Sequence, residues 1–169
     1  MKRFGMTLLP FFLLFGVFQS AAFGQQATAD EVLSKVKAAA EVLSEQGEAG
    51  LDQFSKKDTQ WVWKDTYIWI LKCDEFTAAA HPFAPKFVGR DNSDLVDKRG
   101  NYFFMQMCDD ADRHKETGYW TEYWWPKKGQ DEPARKVAYT LQAEGTPYQV
   151  SAGIYSPTIS ASELNKQLK

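Results

Sequence analysis

The segment Thr66–Leu71, Thr-Tyr-Ile-Trp-Ile-Leu, is apolar on both of its alternating sets, with Tyr67, Trp69 and Leu71 on one and Ile68 and Ile70 on the other. A strand with one solvated face carries polar residues at every second position, so this one predicts a central strand of a sheet that is covered on both sides. One covering element is legible upstream. Thr28-Ala29-Asp30-Glu31 has the form of a capping box, and Val32, Val36, Ala39, Ala40, Leu43, Gly47, Gly50, Leu51 and Phe54 then recur at helical spacing. They predict an amphipathic helix from Thr28 to Ser55, on the order of 40 Å long. Such a helix either lies across the sheet or also offers a seam, built on Val36 and Leu43, to a second copy of the chain.

Downstream, Cys73-Asp74-Glu75 predicts a tight turn and Phe76–His81 a short return strand, stopped by Pro82 and Pro85. Pro82–Lys98 has Pro, Gly, Asn and charge but no period, and reads as a loop of functional length. Asn101 is placed to cap a helix from Tyr102 to His114, with Phe103, Phe104, Met107 and Ala111 inward. Trp120–Trp125 is aromatic on both faces, and Pro126–Pro133 is a long hairpin connection. Val137, Tyr139, Leu141 and Ala143 alternate against Ala138, Thr140, Gln142 and Glu144. After a turn at Gly145-Thr146-Pro147, Tyr148, Val150, Ala152 and Ile154 alternate again. Five strands after a long helix predict an α+β fold with an antiparallel sheet, ending in a short polar helix or tail over Ser162–Lys169.

Met1-Lys2-Arg3 followed by the apolar run Thr7–Phe18 and small residues at Ser20, Ala21, Ala22 and Gly24 reads as a secretory signal peptide. Cleavage follows either Ala22 or, preferred here, Gly24; an uncleaved anchor is the alternative, and the run is short for the roughly 20 residues a span needs. The domain is then residues 25–169, with 18 basic against 22 acidic side chains and a net charge of −4. A periplasmic or secreted protein is expected. That balance gives no electrostatic case for nucleic acid. In an oxidising compartment Cys73 and Cys108 form a disulfide or, failing that, remain two buried thiols.

Catalytic patterns are missing. There is no GxSxG, P-loop or Rossmann glycine pattern. Asp109, Asp110, Asp112 and His114 follow one another too closely on a helix to converge on one ion. Asp91–Asp97 departs from a calcium loop at its sixth and twelfth positions. His81 with Cys108 as a nucleophilic pair would need a thiol that a disulfide consumes. No enzyme and no cofactor are expected. What remains is an aromatic interior with a few cations, all six tryptophans falling between Trp61 and Trp125. Tyr and Trp combine an apolar body with one polar handle, which suits either core packing or a small pocket for a polar or anionic ligand.

The order of motifs decides between these. Asp65-Thr-Tyr67-Ile-Trp-Ile, Ala80-His81-Pro82, Gly89-Arg90-Asp91, Asp97-Lys-Arg-Gly100, Gly118-Tyr-Trp120, Tyr123-Trp-Trp-Pro126, Pro133-Ala-Arg-Lys136-Val-Ala-Tyr139, Gly145-Thr-Pro-Tyr148 and Gly153-Ile-Tyr155 together resemble the single Cache family, second subtype. These are PAS-like extracytoplasmic sensor domains of chemoreceptors and histidine kinases, and the resemblance runs from about Ala29 to Tyr155. It implies a long N-terminal helix on a PAS-like antiparallel sheet of about five strands, and a pocket for small ligands, frequently short carboxylates. Binding without chemistry is the implied activity. The family's Gly-x-Gly-Trp region is kept only as Gly118-Tyr119-Trp120, which puts a bulky side chain near the pocket's edge. Members usually continue into a transmembrane helix, whereas this chain ends at Lys169, so a separate membrane receptor or histidine kinase is the expected partner.

The ligand contacts this implies are Tyr67, Trp69, His81, Arg90, Trp120, Tyr123, Lys136 and Tyr139. Lys136 or Arg90 would supply charge to a carboxylate, His81 and Tyr139 hydrogen bonds, and Trp120, Tyr67 and Trp69 a dry wall. Strand parity sets Lys136 and Tyr139 on opposite faces, so either a bulge intervenes or only one of them is a contact. A structural, dimerising protein and an enzyme using His81 are the other classes kept open.

Overall fold

The computed structural model describes residues 25–168; the leader read over residues 1–24 lies outside the described residues. Thr28 opens helix α1 (Ala29–Gln46) through the expected capping box: its hydroxyl accepts from Glu31 N at 3.3 Å, and the Glu31 carboxylate accepts from Thr28 N at 2.9 Å. Val32, Val36, Ala39, Ala40 and Leu43 form its buried stripe. The helix does not run on to Ser55. It ends at Gly47, whose φ of +56° is left-handed territory open to glycine, and the chain continues as a tighter 3-10 turn over Gly47–Phe54. Helical periodicity in the sequence spans both pieces because the turn keeps Gly50 and Phe54 against the same core. Val36 and Leu43 are fully buried within the chain, so the seam read on them packs the sheet and is not offered to a second copy.

Seven strands follow: β1 (Val62–Trp63), β2 (Thr66–Tyr67), β3 (Trp69–Lys72), β4 (Thr77–Ala80), β5 (Tyr119–Pro126), β6 (Pro133–Gln142) and β7 (Gln149–Tyr155). The last five make one antiparallel sheet in the order β4-β3-β7-β6-β5, and β1 and β2 form a separate two-residue hairpin. The doubly apolar run is divided at Ile68, whose N–H leaves the strand to bond Trp61 O at 2.8 Å, but it is buried throughout as its composition required.

Two apolar layers cover the sheet. Under α1 lie Ile70, Trp120, Val137, Tyr139, Val150, Ala152 and Ile154. On the other face Tyr67, Trp69, Leu71, Ala78, Tyr123 and Ala138 pack against helix α2 (Phe103–Arg113), which contributes Phe103, Phe104 and Met107. Asn101 does not cap α2. Its backbone N and Nδ2 donate instead to the Asp97 carboxylate at 3.0 and 3.1 Å, and Asp97 also accepts from Arg99 N and Trp124 N. The loop end, the helix start and β5 are thereby tied to one side chain.

Cys73 and Cys108 are joined, with Cα atoms 5.3 Å apart and a sequence separation of 35. The bridge pins α2 to the end of β3. At the opposite edge of the sheet, helix α3 (Ala161–Asn165), capped by Ser160, places Asn165 so that its amide both accepts from Trp120 N (2.8 Å) and donates to Trp120 O (2.9 Å). This covers an edge strand that would otherwise present open backbone groups. Among the described residues no helix is long and apolar enough to cross a membrane.

Candidate functional site

Between α2, the Pro82–Lys98 loop and the sheet lies a small enclosed cavity of ≈ 20 Å³, room for about one water. Its walls come from Tyr67 on β2 and Trp69 on β3, from Phe87 and Leu95 of the loop with His81 just before it, from Phe103 and Phe104 on α2, and from Tyr123, Trp125 and Lys136 on β5 and β6. The aromatics form two contact groups. Phe103 stacks on Tyr123 at 4.6 Å and meets Trp125 at 5.3 Å, Trp125 meets Phe87 at 5.6 Å, and Tyr67 and Trp69 each lie within 6 Å of the His81 ring.

Among the described residues Lys136 is the only charged one in the wall, and it is 1% exposed. Its Nζ stands over the Tyr67, Tyr155 and Tyr123 rings at 4.6, 5.2 and 5.9 Å, and among the described residues it has no ion-pair partner. Burial pulls its pKa down to about 7, against a weaker opposing pull from Asp65. Asp65 itself is occupied, accepting from Ala27 N at 2.9 Å. An unpaired ammonium in such a place is costly, and the cation–π contacts with three tyrosine faces offset only part of that.

His81 is held by its own loop. Phe83 N and Ala84 N both donate to Nδ1, at 3.1 and 2.9 Å. With Nδ1 accepting, the neutral ring carries its proton on Nε2, and burial, followed by the nearby Lys136 charge, lowers the pKa to about 3. His81 is therefore a neutral N–H donor at neutral pH. Trp69 Nε1 is buried with no hydrogen-bond partner. Burial also raises the Tyr67 hydroxyl to about 12 and the Tyr123 hydroxyl well above its ordinary value, so both keep their protons. The wall thus offers one cation and several N–H and O–H donors, and not one of its residues is acidic.

The sequence model of single Cache domain 2 matches residues 22–168. The chain belongs to that family. Three solved structures share the fold. One is described as the structural basis for carboxylic acid recognition by a Cache chemosensory domain (24% identity, 75% of this chain and 91% of that one, TM-score 0.63). A second is the periplasmic sensor domain of a chemotaxis protein (22%, 75% and 93%, TM-score 0.64). The third is a methyl-accepting chemotaxis protein from Vibrio parahaemolyticus (15%, 78% and 90%, TM-score 0.60). The first two are described as sensor domains, and this Cache domain matches its neighbours in the arrangement of an N-terminal helix on a five-stranded antiparallel sheet.

Of the eight contacts read from the sequence, the structure gathers Tyr67, Trp69, His81, Tyr123 and Lys136 around one cavity. It does not bring the other three there. Arg90 is exposed and bonds the Asp94 carboxylate at 3.1 Å and the Asp91 carbonyl at 3.2 Å. Trp120 and Tyr139 face α1. The β5–β6 ladder runs without a break, pairing Tyr123 with Lys136 and Trp120 with Tyr139, so no bulge rescues the second pair. Tyr139 is a packing residue whose hydroxyl donates to Thr117 O at 2.7 Å beneath Gly118. The wall residues not foreseen are Phe87, Leu95, Phe103, Phe104 and Trp125. The sequence places Phe103 and Phe104 on an inward helix face, and what lies inward of them carries no local signal. Trp125 shares the parity of Tyr123 on β5, which could have identified it.

Proposed function

We propose that this chain is an exported sensor or carrier domain that captures a short organic acid, with no chemistry performed on it. The observation that carries the reading is the buried, unpaired Lys136 ammonium in a wall of donors. A carboxylate entering the cavity supplies the missing counter-charge and accepts from His81 Nε2 and Trp69 Nε1, while Tyr67, Tyr123 and Phe103 exclude water and strengthen each contact. With room for about one water in the empty fold, the cavity admits an acid only as its walls part, which favours the shortest carboxylates. The description of one structural neighbour as a carboxylic acid receptor supports the same ligand class.

In this reading residues 1–24 are an export signal removed from the mature protein, and the Cys73–Cys108 bridge fits an oxidising compartment. The partner is a membrane receptor or histidine kinase that reads the occupied domain, a role suggested by the chemotaxis proteins among its structural neighbours. Thermal unfolding in a panel of short monocarboxylates, dicarboxylates, amino acids and amines tests the proposal, since any ligand of the native state raises Tm by mass action. At least one acid should do so in the wild type and fail to in Lys136→Met. A panel without any shift, or shifts by amines alone, rules the reading out.

A further inference from the structure

Outside the cavity, and sharing with it the wall of Tyr67, His81, Phe87 and Trp125, is an open groove of ≈ 370 Å³ between the Pro82–Phe87 segment and the connection from β5 to β6. Three of its lining residues are lysines, Lys86, Lys127 and Lys128, against one acidic residue, Asp131. A fourth, Lys57, reaches it from the end of the first 3-10 turn. These cations sit on the aromatic rungs that lead inward. Lys57 and Lys128 stand over the Phe83 ring at 5.4 and 5.6 Å, Lys86 over Phe87 at 5.0 Å, and Lys127 over Tyr155 at 5.5 Å. Lys136 stands over that same Tyr155 ring at 5.2 Å, so the Lys127 and Lys136 ammonium groups are separated by little more than one aromatic side chain.

The clustering is not what a solvated face of this chain would show. Acidic residues outnumber basic ones downstream of residue 24, and seven of the cations elsewhere in the molecule are neutralised by ion pairs. Among the described residues none of the four groove lysines has such a partner. We propose that this groove is the entrance for an anionic ligand, with the lysine rim drawing it in and Phe83 as the plug it passes. Phe83 is half-buried, packs on Tyr67 at 5.0 Å, and is tethered through its own backbone N–H to Nδ1 of His81, the ring that carries the ligand-facing donor. The inference rests on the reading of the cavity as an acid site. A concave cluster of like charge over low-dielectric walls raises the local anion concentration and the association rate, and does so less as salt rises.

Two measurements separate the rim from the cavity. In the first, iodide and neutral acrylamide quench Trp125 fluorescence, isolated as the difference between wild type and Trp125→Phe. The triple variant Lys86→Gln/Lys127→Gln/Lys128→Gln should lose iodide quenching by about threefold or more with acrylamide quenching unchanged, and high salt should have the same effect on the wild type. Unchanged iodide quenching, or an equal fall with both quenchers, overturns the rim. In the second, stopped-flow binding uses the acid that gives the largest thermal shift. The triple variant should slow association by about tenfold at low salt with dissociation unaltered, and Phe83→Ala should speed both rates together. A change confined to dissociation overturns the entrance. Intact iodide selectivity with no acid bound overturns the cavity reading and leaves the rim standing.

Discussion

Lys136 reaches the cavity through a gap that Gly153 leaves on the neighbouring strand: a Cβ there would come within 2.8 Å of Lys136 Cε and of Val137 O. Gly153→Ala is therefore expected to cost about 1–3 kcal/mol by overpacking and to displace the ammonium, weakening acid binding by roughly tenfold or more. Calorimetric titration checks this, and unaltered affinity would show that the stem has room elsewhere. Lys136→Met makes the opposite trade. Removing a buried charge without a partner should stabilise the unliganded protein by about 1–4 kcal/mol while abolishing the acid-dependent rise in Tm. If the variant unfolds more easily, the ammonium is paying its way in the empty fold. Asp97 shows the contrasting case of a satisfied buried charge. Burial raises its pKa, but the N–H groups of Asn101, Arg99 and Trp124 outweigh that and hold the carboxyl below its ordinary value.

At the scale of elements, the cavity roof is one disulfide-closed segment. The Cys73–Cys108 loop contains β4, the Pro82–Lys98 stretch and most of α2, hence His81, Phe87, Leu95, Phe103 and Phe104. In the chain-entropy estimate a loop of this length contributes about 3–4 kcal/mol, so reduction should lower Tm by roughly 6–16 °C. Acid binding should weaken as well, because the roof is no longer held against β3; reduction that leaves affinity intact would show that packing alone positions α2. Helix α1 belongs to the other face. Since Leu43 is fully buried against the sheet, Leu43→Ala should cost about 2–5 kcal/mol in urea unfolding with no change in sedimentation coefficient. Dissociation of a dimer with stability preserved would instead return α1 to the role of a seam.

For the whole molecule, the position of Lys136 makes binding and folding respond to pH in linked ways. Its pKa is about 7 in the folded chain and 10.5 when unperturbed, so the unfolded state binds the extra proton between those values. The penalty is complete below pH 7 and is relieved as pH rises toward 10.5, which increases the stability of the unliganded protein over that window. An anionic ligand pulls the same pKa back up. Affinity for the acid should therefore be full below pH 7 and decline above it, by up to about tenfold per pH unit, while His81, already neutral, contributes no step near pH 6. A flat affinity profile between pH 6 and 9 would mean that Lys136 does not face the ligand. By itself the sequence determined what is periodic or local: the capping box at Thr28, the strand buried on both faces, the alternation of the last two strands, and the parity conflict between Lys136 and Tyr139. The motif order carried the family. Only the tertiary structure decided which side of the sheet holds the cavity, because parity separates two faces without saying what covers each. It also decided that Arg90 points to solvent and that the Pro82–Lys98 loop with His81 before it and helix α2 after it supply half of the wall, since those contacts depend on how the disulfide and α2 fold back over β3.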